Sequence, residues 1–113
     1  MKYIIAIIQP HKLSDVMGAL ERANIPLLTV SSVLGRGRQK GITQTYRGTR
    51  EIGSLLQKVK LEIAVNEDFV GPAIEAITSS ARTGEIGDGK IFVLDLKEVM
   101  RIRTGEMGSE AIG

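Results

Sequence analysis

The chain has 113 residues, with 15 basic and 13 acidic side chains, a net charge of +2 and 42% hydrophobic residues. This length and balance indicate one globular domain over residues 1–113 and exclude a disordered tail protein. The lack of cysteine excludes disulfide frameworks, thiolate metal sites and cysteine nucleophiles. Its apolar runs are too short to span a bilayer, and no cleavage pattern of a signal peptide follows Met1. We therefore expect a cytoplasmic protein without membrane insertion.

The first third of the chain predicts a strand, a helix and a second strand. The β-branched run Lys2–Gln9 predicts a mostly buried, central strand. Four apolar side chains then recur at the spacing of one helix face: Leu13, Val16, Met17 and Leu20. This periodicity predicts a helix that runs to about Ala23, before Asn24 and Pro26. A second β-type run covers residues 27–34.

A long segment without periodicity follows, from Gly35 to about Ser54. Loops of more than roughly 12–15 residues are uncommon in compact domains unless they are functional or disordered. Residues 36–53 include five basic residues and one acidic residue, so this segment has a net charge of +4, whereas the whole chain has a net charge of +2. They are Arg36, Arg38, Lys40, Arg47 and Arg50 against Glu51. Because the charge is local, a general nucleic-acid surface is not supported. The loop over about 36–54 is the first candidate for function, and a solvated loop is the alternative.

The second half of the chain predicts the same succession of elements. Alternating residues predict a half-exposed strand over Leu55–Val65, with one apolar face (Val59, Leu61, Ile63, Val65) and one exposed face (Lys58, Lys60, Glu62, Ala64). An amphipathic helix follows (Phe69, Val70, Ala73, Ile74, Ile77). Because Pro72 lacks an amide hydrogen, we expect its regular part to begin near Gly71. The turn Thr83–Gly89 leads into a strand over Lys90–Leu96. This order predicts an α+β, ferredoxin-like βαββαβ fold with a long loop between its second and third strands.

The turn before the last strand nearly satisfies the phosphate-loop pattern G-x-x-x-x-G-K-[ST]. In Gly84–Ile91, however, Ile91 replaces the Mg²⁺-binding hydroxyl, and a β-rich run follows where the motif requires a helix. This excludes a P-loop NTPase. Successive glycine amides and the Lys90 ammonium can still form an anion site, and a plain tight turn is the alternative.

Two further groups of residues suit anions, whereas catalytic groups are scarce. The segment Gly35–Gly41 follows a predicted strand, as a dinucleotide-binding motif would, but no helix comes after it. We therefore interpret it as a flexible basic arm. Arg101 and Arg103 would share one face if Val99–Thr104 is extended, and a pair of solvent-facing charges is the alternative. The single histidine, His11, has no nearby nucleophile, so we interpret it as a surface or helix-start residue. We expect no metal cluster and no catalytic acid/base pair.

Four motifs together resemble the PII nitrogen-regulatory signal proteins. They are Gly35-x-Gly37-Arg38-Gln39-Lys40-Gly41, Tyr46-Arg47-Gly48, Thr83-x-x-x-Gly87-Asp88-Gly89-Lys90-Ile91-Phe92 and Arg101-Ile102-Arg103-Thr104-Gly105-Glu106. The similarity spans nearly the whole chain without gaps, and the third motif is highly specific. The resemblance implies a non-catalytic regulator that forms a homotrimer of ferredoxin-like subunits and binds ATP or ADP between neighbouring subunits. It also implies that 2-oxoglutarate binds beside MgATP.

The resemblance also assigns roles to individual residues. The nucleotide set is Thr29, Gly35, Gly37, Arg38, Glu62, Ala64, Gly87, Asp88, Gly89, Lys90, Arg101 and Arg103. In this set, Thr29, Glu62 and Ala64 would surround the adenine. The Gly87–Gly89 backbone and Lys90 would hold the phosphates, together with Arg38, Arg101 and Arg103. Gln39 would help to coordinate Mg²⁺. The 2-oxoglutarate set is Gln39, Lys40, Gly41, Lys58 and Gly87. The loop tip Tyr46, Arg47 and Gly48 would bind the partner, an ammonium channel or a nitrogen-assimilation enzyme.

The sequence departs from this family pattern in the loop. Glu51 stands where many bacterial members carry a nucleotidylated tyrosine, so uridylylation there is impossible. Thr49 lies where some members carry a phosphorylated serine and is the candidate modification site. Arg36 replaces a common aromatic residue and adds a charge near the loop base.

Two other classes of function stay open at this point. The near-phosphate-loop turn and the arginine pair also suit a small nucleotide-binding phosphotransferase or ATPase, although the sequence offers it no base or nucleophile. The +4 loop also suits a structural trimer or a protein associated with nucleic acid.

Overall fold

The computed structural model describes residues 1–37, 45–46, 49–50 and 55–113. Its strands and α-helices are β1 (Lys2–Ile8), α1 (Leu13–Arg22), β2 (Thr29–Gly35), β3 (Thr45–Tyr46), β4 (Thr49–Arg50), β5 (Leu56–Val65), α2 (Glu67–Ala81) and β6 (Gly89–Asp95). Short 3-10 helices cover Pro10–Lys12 and Gly108–Ala111. Neither α-helix of this described part has the length and apolar character needed to cross a bilayer.

Four strands form one antiparallel sheet in the order β2-β5-β1-β6. With α1 after β1 and α2 after β5, this arrangement is ferredoxin-like and α+β, which confirms the predicted fold. β1 has a neighbour on each side, so its predicted central position is also confirmed. β3 and β4 pair with each other inside the predicted loop, with Thr45 opposite Arg50. Strands of two residues are too short for a periodicity to reveal them.

Both helices pack on one face of the sheet. The core residues on this face include Ile4, Ala6 and Ile8 of β1, Val59, Leu61, Ile63 and Val65 of β5, Val16 and Leu20 of α1, and Ala73 and Ile77 of α2. The apolar alternation of β5 is therefore confirmed. Lys58 departs from the prediction, because its side chain is only 9% exposed although it belongs to the opposite face. Its contact with the turn before β6, described below, explains this burial.

The second helix begins earlier than expected. α2 starts at Glu67 and contains Pro72, so the expected start near Gly71 is wrong. The amide that Pro72 lacks would have bonded the carbonyl of Asp68, four residues earlier. Both residues are exposed, so water can satisfy that carbonyl and the proline costs little. Two acidic residues in the first turn, Glu67 and Asp68, also favour a helix start here.

The segment after β6 turns back on itself. The Gly105 amide donates to the Arg101 carbonyl at 2.7 Å, and the Arg101 amide donates to the Glu106 carbonyl at 2.8 Å. Gly105 has a φ of +74°, which glycine adopts without strain. Residues 102–104 therefore form a turn. The extended conformation considered for Val99–Thr104 is wrong, so strand alternation does not place Arg101 and Arg103 on one face.

Candidate functional site

An open cleft of about 940 Å³ lies at one end of the sheet. The end of β2 meets the start of β5 there, with Gly35 opposite Leu56, and the end of β1 meets the start of β6, with Ile8 opposite Gly89. Its lining is Ile7, Val33, Leu34, Gly35, Arg36, Gly37, Leu56, Lys58, Ile86, Gly87, Gly89, Lys90 and Phe92. Three of these described residues are basic and none is acidic, so the cleft suits an anionic ligand.

The turn from Thr83 to Gly89 forms one wall of the cleft and is fastened by its own aspartate. The Asp88 carboxylate accepts hydrogen bonds from the Thr83 amide at 2.8 Å, from the Gly84 amide at 2.9 Å and from the Thr83 hydroxyl. These bonds favour the ionised form and lower the pKa of Asp88, with the Thr83 hydroxyl as the largest cause. Asp88 does not line the main cleft. It lines a smaller cleft of about 270 Å³ beside the end of α2.

Two glycines of this turn have backbone conformations that other residues adopt only with strain. Gly87 has a φ of +105° and Gly89 a φ of +108°. A Cβ at Gly89 would lie 1.7 Å from the Ile7 carbonyl oxygen, so the turn and β1 approach too closely for any side chain. At Gly89, the group that requires a glycine is therefore the backbone of β1.

Lys58 crosses from β5 to the turn. Its Nζ donates a hydrogen bond to the Gly87 carbonyl at 3.0 Å. Burial disfavours the ammonium and lowers the pKa of Lys58, while the Asp88 carboxylate acts in the opposite direction. Lys58, Gly87, Gly89 and Lys90 are therefore brought together as expected, from two separate parts of the chain.

Arg101 is engaged elsewhere in the chain. Its Nη1 forms an ion pair with Glu106 at 2.9 Å, and its Nη2 donates to the carbonyl oxygens of Glu110 at 3.1 Å and Gly113 at 2.7 Å. Arg103 is exposed. Neither arginine lines the cleft formed by the described part of this chain.

The residues expected around an adenine lie on the face of the sheet opposite the helices, away from the cleft lining. Thr29 is paired directly with Glu62, and Ala64 follows on the same face. The Tyr3 hydroxyl donates to Glu62, which lowers the pKa of Glu62 and raises that of Tyr3. Lys60 also pairs with Glu62, at 3.5 Å. Glu62 lies four positions after Lys58, about 13 Å along an extended strand.

Several predicted site residues lie outside the described residues. They are Arg38, Gln39, Lys40, Gly41, Arg47, Gly48 and Glu51, together with the side chains of Tyr46 and Thr49. Their expected roles stay predictions. Among residues 1–37 and 55–113, no cluster of histidine or acidic side chains could hold a metal ion.

The described groups of the cleft are of the kinds that can bind anions. Backbone amides of a glycine turn and ammonium groups bind phosphate or carboxylate oxygens. Lys90 lies within a strand, β6, rather than at the start of a helix, which agrees with the exclusion of a P-loop NTPase. His11 is exposed in the first 3-10 helix, which agrees with its interpretation as a helix-start residue.

Sequence reasoning missed three contacts: Thr83 with Asp88, Lys58 with Gly87, and Arg101 with Glu106. A threonine and an aspartate that bracket glycines could have suggested the first contact, since Asp and Thr side chains bond nearby backbone groups. The second joins residues 29 positions apart, so no local pattern encodes it.

The chain is similar to known proteins over almost its whole length. The family model described as "Nitrogen regulatory protein P-II" matches residues 1–106. The chain is 54% identical to "Nitrogen regulatory protein P-II 2" of Methanothermobacter thermautotrophicus, over 99% of this chain and 97% of that protein. It is 54% identical to "Nitrogen regulatory protein P-II" of Rhizobium etli, over 99% of this chain and 100% of that one. The chain is 51% identical to "Nitrogen regulatory protein GlnK1" of Methanosarcina mazei, over 99% of this chain and 97% of that protein. These relatives are named as regulators rather than enzymes.

Proposed function

Because this chain belongs to the P-II family of nitrogen regulatory proteins, a family of regulators and not of enzymes, we propose that it senses adenine nucleotides and 2-oxoglutarate. In this proposal it binds ATP or ADP and, together with MgATP, 2-oxoglutarate. The bound state then controls a nitrogen-assimilation enzyme or an ammonium channel from the cytoplasm.

The observation that carries this proposal is the cationic cleft against the glycine turn. The backbone of Gly87 and Gly89 forms part of the cleft wall. Lys58 and Lys90 contribute positive charge, and none of the described lining residues is acidic. Lys90 and the turn amides take the phosphates, and Gly35 and Gly37 let the backbone come close to the ligand on the opposite wall. Asp88 contributes by fastening the turn rather than by touching the ligand.

We assign the remaining phosphate contacts to Arg101 and Arg103 of a neighbouring copy. In one chain both arginines lie outside the cleft, so they reach a ligand only across an interface. The face of the sheet opposite the helices supports such an assembly, since it exposes Phe92 to 48% and Leu94 to 46%. A homotrimer that buries this face forms three equivalent clefts and brings each arginine pair beside a neighbour's turn.

The second ligand and the partner act through the basic loop. Gln39 coordinates Mg²⁺, and Lys58 and the backbone from Gln39 to Gly41 take the carboxylates of 2-oxoglutarate. Ordering of the loop base then changes the shape that the tip Tyr46, Arg47 and Gly48 presents to the partner. Thr49 is the candidate site of modification in this loop.

Calorimetric titration tests this proposal directly. ATP and ADP are titrated first, and 2-oxoglutarate is then titrated with MgATP and without nucleotide. We expect micromolar or tighter binding of ATP, about 8 kcal/mol, and binding of 2-oxoglutarate only with MgATP. If ATP binds and 2-oxoglutarate does not, the roles of Gln39, Lys40 and Lys58 toward the effector are wrong. If no nucleotide binds, the proposed function fails as a whole.

A further inference from the structure

Lys58 occupies an unfavourable position for a lysine. It is the one buried charged side chain in the part of the chain that the structure describes, with 9% of its surface exposed. Fixing a long, flexible side chain costs conformational entropy, and removing an ammonium from water costs solvation energy. The lowered pKa of Lys58 has the same cause. A side chain held at such cost points to a role within the site itself.

One hydrogen bond of Lys58 determines the orientation of a peptide group in the turn. Its Nζ holds the Gly87 carbonyl at 3.0 Å, and no peptide bond among the described residues is cis. In a planar trans peptide the carbonyl and the following amide hydrogen point in opposite directions. Fixing the Gly87 carbonyl therefore also fixes the direction of the Asp88 amide.

The turn needs such a contact because its own backbone is permissive. Gly84, Gly87 and Gly89 all have positive φ values, and glycine loses more conformational freedom on ordering than any other residue. The Asp88 carboxylate fastens the first half of the turn through Thr83 and Gly84. Lys58 fastens the second half through Gly87.

We propose that Lys58 is a positioning residue, which orients the peptide between Gly87 and Asp88 and so prepares the turn for phosphate before any ligand binds. This inference rests on the proposed nucleotide site and is separate from the expected contact of Lys58 with 2-oxoglutarate. A prepared site binds more tightly because the cost of ordering the turn is already met in the free protein.

The same contact links the two expected ligands. The Lys58 ammonium has three hydrogens, so it can donate to a carboxylate while it keeps its bond to the Gly87 carbonyl. The second ligand would then stabilise the same arrangement of the turn that holds the first. Coupling of this kind is reciprocal, since each ligand changes the affinity of the other by the same factor.

The test combines two measurements without any dicarboxylate. Amide hydrogen exchange of Asp88 and Gly89 is measured by NMR in the ligand-free protein, and ADP and ATP are titrated calorimetrically. Lys58→Met keeps the length and loses the donor, whereas Lys58→Arg keeps a charged donor. Lys60→Met is the matched control, because Lys60 lies two residues along the same strand and pairs with Glu62 rather than with the turn.

We expect Lys58→Met to accelerate exchange at Asp88 and Gly89 and to weaken ADP and ATP by the same factor, about tenfold, as preorganisation is lost. Lys58→Arg should restore binding to within about threefold, and Lys60→Met should match the unsubstituted protein. Circular dichroism establishes that each variant is folded. Should Lys58→Met not fold, Lys58→Gln replaces it, since its shorter side chain cannot reach the carbonyl.

Two results would overturn the inference. Unchanged exchange and affinity in Lys58→Met would mean that the turn keeps its conformation alone. Unchanged exchange with a much larger loss for ATP than for ADP would mean that Lys58 acts as a direct charge on the phosphates. If the unsubstituted protein binds no nucleotide, the proposed function fails, and the exchange rates still decide whether Lys58 orders the turn.

Discussion

The two faces of the four-stranded sheet differ although the same strands form them. On the helix face, β1 contributes Ile4, Ala6 and Ile8, which are at most 2% exposed. On the open face, the same strand contributes Tyr3, which donates to Glu62, and Ile7, which lines the cleft. The helix face therefore supplies the apolar core, and the open face supplies polar contacts and part of the lining of the cleft.

The largest expected difference between the faces comes from two adjacent isoleucines. Ile4→Ala should lower the free energy of unfolding by about 2–5 kcal/mol, because Ile4 is fully buried against the helices and its removal leaves a cavity. Ile5→Ala, on the open face, should preserve the fold and weaken self-association. Urea unfolding and sedimentation velocity measure the two effects. Equal losses of unfolding free energy, with assembly unchanged in Ile5→Ala, would contradict the distinction between the faces.

Gly89 joins the two faces, since it begins β6 and ends the cleft turn. Gly89→Ala should destabilise the protein by about 3 kcal/mol, since it combines a positive φ with a clash against the Ile7 carbonyl. Gly84→Ala separates backbone strain from steric clash. Gly84 has a φ of +90°, but a Cβ there would meet no other atom, so this substitution introduces strain without a clash. Gly37→Ala has open space and should be neutral. Thermal unfolding should rank the three in this order, and a Gly89→Ala variant as stable as Gly37→Ala would refute the clash.

The helix face could be predicted from the sequence more completely than the open face. Alternation in β5 and the helical spacing from Leu13 to Leu20 follow from local geometry, so the fold and most of the core were accessible. The start of α2 was not, because the cost of Pro72 depends on whether Asp68 faces water, and only the tertiary structure determines that exposure.

On the open face, the sequence indicated candidate residues for a site but not the contacts that hold them. The glycines and Lys90 pointed to the turn before β6 as a candidate anion site. The contact of Lys58 with Gly87 depends on strand order, which places β5 within reach of the turn. The interpretation of Arg101 and Arg103 required an extended backbone, and Gly105 permits the turn that replaces it.

Lys90 tests whether the open face serves ligand binding without supporting the fold. Lys90→Ala should weaken ATP by about 1.5–3 kcal/mol, the contribution of one charged hydrogen bond, and leave thermal unfolding unchanged. Lys97→Ala is the matched control, because Lys97 is an exposed lysine just beyond β6. Calorimetry compares both variants with the unsubstituted protein. Equal ATP affinities for Lys90→Ala and Lys97→Ala would remove Lys90 from the site.

A smaller effect is expected at Arg36, on the wall of the cleft opposite Lys90. Coulombic attraction scales with ligand charge, so Arg36→Gln should weaken ATP about threefold more than ADP. Arg22→Gln, at the exposed end of α1, controls for the change in overall charge. Titrations at low and high salt should show the difference shrinking as salt rises. An equal effect on ADP and ATP would mean that Arg36 does not discriminate between ligands by their charge.

The smallest expected effect concerns pH and the fastening of the turn by Asp88. Because hydrogen bonds from Thr83 and Gly84 lower the pKa of Asp88 below 3.8, its ionised form stabilises the folded state. That contribution is complete above the unfolded pKa and is lost as pH falls through the lower, folded pKa. Asp88→Asn should therefore be less stable than the unsubstituted protein at about pH 7, and the gap should close toward about pH 2. The pKa values of Glu62 and Asp95 are also lowered, but both proteins retain these residues. The difference in stability between the two proteins therefore reports on Asp88 alone. A gap that stays constant with pH would assign the effect to side-chain shape rather than to charge.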